Sequence, residues 1–164
     1  MGSLPHRWPR FALFSVISLT ATALLHFHSL VSRADTPPWN ASDAIEPSKL
    51  AGELARASGS ARPAILYVGF NALFEGGHIA GASFHGTAST PQGLADLKKW
   101  AATQPRTTSL VIYCGCCPFG FCPNIRPAFV ALHGMGFTKL RVLVMPNNFA
   151  SDWVDKGYPV EKGL

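Results

Sequence analysis

Apolar and polar positions along this chain alternate between short, nearly continuous apolar runs and longer stretches in which apolar residues recur every three or four positions. Ala64 to Val68 (Ala-Ile-Leu-Tyr-Val), Ser109 to Tyr113 (Ser-Leu-Val-Ile-Tyr) and Leu140 to Val144 (Leu-Arg-Val-Leu-Val) have strand length and the composition of strands buried on both faces. Between them the spacing changes. Leu50 and Leu54 lie four apart behind Pro47, which predicts a short helix over 47–57. Thr90-Pro91 opens a second, with Leu94, Leu97, Trp100 and Ala101 on one face and an end near Thr103. Phe129 and Leu132 share a face of a third over 127–133, stopped by Gly134 and Gly136. Phe149 and Trp153 predict a last short helix over 147–156, with Trp153 in the core. Strands alternating with helices predict a single α/β domain with a mainly parallel sheet flanked by helices. In such sheets the site lies beyond the carboxyl ends of the strands.

Two stretches stand apart from this pattern. Residues 35–46 are polar and proline-bearing and read as an extended lead-in that Trp39 tacks to the domain. Residues 1–34 begin with Arg7 and Arg10 and no acid, continue into the apolar run Phe11 to Leu25, and end on Ser32-Arg33-Ala34. That order reads as a secretory signal cleaved after Ala34, so the protein is expected to be exported, periplasmic or secreted. The alternative is an uncleaved membrane anchor over residues 11–31, although the uninterrupted run falls short of the ~20 residues that span a bilayer. Cleavage leaves one modest domain over 47–164 behind the lead-in. The net charge of +5 largely belongs to the same segment, since Arg7, Arg10 and Arg33 lie in it. The remainder is close to balanced, so no nucleic-acid partner is expected, and a membrane only if residues 1–34 stay attached.

Export changes how the cysteines read. An oxidising compartment favours disulfides that join distant segments, but all four cysteines, Cys114, Cys116, Cys117 and Cys122, lie within one run, Cys-Gly-Cys-Cys-Pro-Phe-Gly-Phe-Cys. Any bridge among them closes a tiny loop and restrains little of the unfolded chain. A local chemical role is expected instead. The run follows a strand and leads into a helix start, where unpaired backbone N–H groups ease ionisation of a thiol. Cys122 abuts the helix start and is one candidate nucleophile. Asn124 reads as the helix cap. Cys116 and Cys117 read as resolving or regulatory partners, with disulfide bonding to Cys114 or Cys122 as the plain alternative. Four thiolates at Cys114, Cys116, Cys117 and Cys122 would also suit a soft metal, copper(I) tolerating crowded sulfur best. No resident cofactor is called for by the rest of the chain.

Several further pieces carry a resemblance. Leu66 to Gly69 forms a strand and its exit, Gly77-His-Ile-Ala-Gly-Ala82 follows, Val111-Ile-Tyr-Cys114 delivers a cysteine at a strand end, Gly136-Phe137 precedes a strand, and Trp153 precedes Gly157-Tyr-Pro-Val160. In this order and spacing, over roughly 51–163, the chain resembles the rhodanese-like (sulfurtransferase) domains. The resemblance implies that Cys114 is the nucleophile, taking sulfane sulfur from a small donor such as thiosulfate, holding it as a persulfide and passing it to cyanide or a thiol. A thiol reductase would then keep the loop reduced. It implies Arg126 as the supporting cation and His78 as a loop-fixing residue. The loop from Cys114 to Arg126 is longer than the family's usual one, and Tyr67 and Gly69 stand where an acid and a base are commonly found. The competing function is a metal-binding or thiol-redox module on the same scaffold, without sulfurtransferase turnover.

Overall fold

Continuous apolar runs become the centre of a five-stranded sheet. The structure, a computed structural model, describes Gly2 and residues 36–163, and the expected signal or anchor therefore lies outside the described residues, apart from Gly2. Among the described residues no helix is long and apolar enough to cross a membrane. In chain order the elements are β1 (Ala44–Ile45), α1 (Pro47–Arg56), β2 (Ala64–Tyr67), α2 (Asn71–Gly76), β3 (His78–Ile79), β4 (Ala82–Phe84), α3 (Pro91–Ala102), β5 (Leu110–Tyr113), α4 (Ile125–Gly134), β6 (Leu140–Leu143) and β7 (Val160–Glu161). The main sheet runs β1-β6-β5-β2-β4, and β3 pairs separately with β7. Every pairing in the main sheet is parallel, with Ile65 opposite Val111 and Ile112 opposite Val142.

Alternation along the central strands sorts side chains to two faces. Leu66, Leu110, Ile112, Cys114 and Val142 pack with Leu97 and Ala101 of α3 and Phe129 and Leu132 of α4. Ile65, Tyr67, Val111, Tyr113 and Leu143 pack with Leu50 and Leu54 of α1, Phe74 of α2 and Trp153. The result is the expected three-layer α/β arrangement, a mainly parallel sheet flanked by helices. α3 starts as predicted, the Thr90 hydroxyl accepting the Gly93 N–H at 3.0 Å with Pro91 behind it.

Four local differences from the sequence reading bear on the site. Ala44–Ile45, inside the lead-in, is the edge strand of the sheet, paired to Val142 and Leu143. That pairing is made by backbone groups, which no side-chain pattern announces. Trp39 does tack the lead-in down, with its ring 5.5 Å from Phe119 and 5.6 Å from Phe129. α4 begins at Ile125, two residues before Pro127, so Arg126 lies in its first turn. In place of a helix over 147–156 there is a π-helical turn at Ala150–Val154, because Asp152 turns back to accept the N–H groups of Asn147 and Asn148 at 2.7 and 3.1 Å.

Candidate functional site

The carboxyl end of β5 delivers Cys114 onto the α3–α4 face of the sheet, where it is 2 % exposed. Gly115 then takes a φ of +72°, the left-handed region that favours glycine. A Cβ there would also lie 2.8 Å from Phe149 Cβ. The turn is held to the segment after β6 by two backbone hydrogen bonds, Phe149 N–H to the Gly115 carbonyl and Phe119 N–H to the Met145 carbonyl, both 3.0 Å. This path folds the cysteines back on themselves. Cys114 Sγ lies 3.1 Å from Cys116 Sγ, and Cys116 Sγ lies 3.4 Å from Cys117 Sγ. The sulfurs of Cys114, Cys116 and Cys122 all fall within 4.8 Å of one another, a set that a single soft ion such as copper(I) would also fit. All four cysteines are free thiols. Cys117 stands three residues after Cys114 along the chain, and its sulfur meets that of Cys116.

Asn124 is the part of the site that the sequence reading missed. It occupies the position before α4 but makes no side-chain cap. Its Oδ1 instead accepts the Ser89 N–H at 2.9 Å, which leaves Nδ2 to donate to Cys114 Sγ at 3.4 Å. The side chain is fully buried, so the amide is spent on joining the α3 approach to the sulfur cluster. The capping expectation fails because Asn124 has helical backbone angles, which aim its side chain away from the N–H groups it would cap.

The thiols do not share charge equally. Cys122 is drawn from the ordinary 9.0 down to about 6, first by a hydrogen bond from the Cys114 thiol, against burial, and further by the N–H groups of Asn124 and Ile125. Cys114 is driven far upward, first by its hydrogen bond to Cys122 and then by burial. Cys117 also holds its proton more tightly than usual, through burial and then its contact with Cys116. Among these three, Cys122 at the helix start gives up its proton most readily, and Cys114 holds its own most tightly.

A cleft of about 430 Å³ opens over this loop, with Tyr67, Cys114, Gly115 and Cys116 in its wall. Gly69 is demanded by space: a Cβ there would lie 2.5 Å from the Tyr67 hydroxyl and 2.8 Å from Cys114 Sγ. The Tyr67 hydroxyl is buried and makes no well-formed hydrogen bond. Its pKa is raised, first by burial and then by Cys114, so it remains a proton donor beside the sulfur. Lys162 is the charged side chain among the residues that line the cleft. Arg126 is exposed on the first turn of α4 and is not part of that lining. His78 is buried, stacked on Phe74 at 3.8 Å, with Nδ1 2.9 Å from the Phe74 carbonyl and Nε2 3.8 Å from Glu161, a position that ties β3 to α2 and β7.

No family model matches the chain, and no curated protein matches it. Solved structures do. The rhodanese-like domain of the Alr3790 protein from Anabaena sp., in solution, superposes with a TM-score of 0.53 at 20% identity, over 73% of this chain and 79% of that one. A crystal structure of the Alr3790 protein gives 0.54 at 20% identity, over 73% of this chain and 93% of that one. At this identity the likeness is one of fold. The chain has a rhodanese-like fold, a mainly parallel sheet flanked by helices, with a cluster of cysteines where β5 ends.

Proposed function

We propose that the protein transfers sulfane sulfur through a persulfide formed on Cys114 of the 114–126 loop, in an exported domain kept reduced by a thiol reductase. The observation that carries this reading is the Cys114–Cys122 pair: a thiol in the cleft wall whose sulfur lies within 4.8 Å of one that helix-start amides help to ionise. As Cys114 attacks the outer sulfur of thiosulfate, its proton crosses to Cys122, so the charge moves within the cluster and no second one is created. The S–S bond of thiosulfate breaks and sulfite leaves on the side of Lys162. The new persulfide meets the Cys116 N–H at Cys114 Sγ and the Tyr67 hydroxyl nearby, donors that suit a developing sulfur anion. A thiol or cyanide acceptor would then remove the outer sulfur. The rhodanese-like fold supports this reaction class.

Sulfite release tests the reading. Pre-reduced protein given thiosulfate is expected to release one sulfite per chain, and Cys114→Ser to slow this by at least about a thousandfold. Release at the normal rate from the variant would assign the attack to another cysteine. No sulfite from the unmodified chain would end the transfer reading, and stoichiometric metal in protein purified without added metal would favour the metal-binding module.

A further inference from the structure

We infer that the sulfur accepted by this loop leaves as sulfide, with Cys116 as the resolving thiol, so that the protein reduces sulfane sulfur rather than only relaying it. The inference rests on the transfer reading above and goes beyond it. Its basis is distance. Cys116 Sγ lies 3.1 Å from Cys114 Sγ, within the separation of about 3–3.5 Å from which bound groups react without further approach. A persulfide on Cys114 has two sulfurs that a thiol can attack. The neighbour in contact with Cys114 Sγ meets the inner one, and attack there expels the outer one.

The step balances. The thiol of Cys116 and the persulfide anion of Cys114 give a Cys114–Cys116 disulfide and HS⁻. The bond between the two Sγ atoms forms, the bond from Cys114 Sγ to the outer sulfur breaks, and the Cys116 proton leaves on the sulfide. Starting from the two thiols, each cysteine has given one electron, and the sulfane sulfur has been reduced by two. Two equivalents of a low-molecular-weight thiol reopen the disulfide and leave as their own disulfide. Cys116 lines the cleft, so that reductant reaches it by the route the donor took. A bridge across one intervening residue departs from relaxed disulfide geometry and is correspondingly easy to reduce. The left-handed turn at Gly115 is what brings the two sulfurs into contact. An external acceptor must compete with a thiol already in place, whose effective concentration exceeds any free thiol's.

The test uses the full chain, reduced, freed of reductant and held without oxygen, then given one equivalent of thiosulfate and no other thiol. Sulfite, sulfide and intact mass are read together. The expected result is one sulfite and one sulfide per chain, with a final mass lower than the reduced chain by two hydrogens. Cys116→Ser is expected to give one sulfite per chain at whatever rate it reacts, to release sulfide at least about tenfold more slowly relative to that sulfite, and to retain the mass of one added sulfur on Cys114. Sulfite without sulfide from the unmodified chain, with the added sulfur retained, would overturn this inference and leave the transfer reading standing. Undiminished sulfide from Cys116→Ser would overturn it as well, by removing Cys116 from the step. Neither sulfite nor sulfide would remove both.

Discussion

The two ends of the cysteine loop hold the same side chain in opposite states. Cys114 is set by the last pairings of β5 and lies against the core, with the Cys116 N–H and the Asn124 side-chain amide as its donors. Cys122 sits just before α4, half-buried, and receives the N–H groups of Asn124 and Ile125 as well as the Cys114 thiol. Burial without enough donors keeps a thiol neutral, and a helix start supplies the donors that burial removes. Eight positions of chain thus separate a proton holder from a charge holder. Their sulfurs lie within 4.8 Å of each other, so in the proposed transfer the difference would serve to ionise Cys114 only when it reacts.

The largest effect that sharpens this contrast is expected at Cys122. Below about pH 6 Cys122 carries its own proton and cannot take that of Cys114, so sulfite release should fall by about tenfold per unit as the pH drops, and level off above that point. Cys122→Ser should slow release by about a hundredfold and move the half-rise above 9.0, the ordinary thiol value. A variant with the original profile would show that the two ends act independently. Tyr67→Phe comes next. Removing the donor beside Cys114 should slow release by about tenfold, while thermal stability holds or rises by up to about 1 kcal/mol, because a buried, poorly partnered hydroxyl is lost. A loss of stability would mean that the hydroxyl is better partnered than its geometry indicates. The smallest effects concern the two cations. Lys162→Ala should raise the thiosulfate KM by about fivefold and Arg126→Ala by less than about twofold, both fading with added salt. The reverse order would return the supporting role to Arg126.

Much of this architecture is legible in the amino-acid order. Runs such as Leu-Val-Ile-Tyr have the length and β-branched, aromatic content of strands buried on both faces, and Leu50 with Leu54, or Leu97 with Ala101, have the spacing by which a helix meets a core. These patterns record water avoidance at every residue, so they survive without a structure. Ala44–Ile45 and the π-helical turn at Ala150–Val154 escaped because each depends on partners far away in the chain or on one carboxylate turning back on its own backbone. At the site the division is sharper. Four cysteines in one short run after a strand could be read directly, as could the chemistry that thiols share. Their division of labour could not. Sequence by itself determined an α/β domain with its thiols gathered beyond a strand end. Tertiary structure decided that Cys114 meets Cys116 and that α4 aims two N–H groups at Cys122. It also decided that Asn124 serves a sulfur instead of a helix, and that Gly69 leaves room for Tyr67 beside Cys114. Hydrophobic pattern is a property of each residue, whereas a thiol's charge is a property of everything within a few ångströms of it.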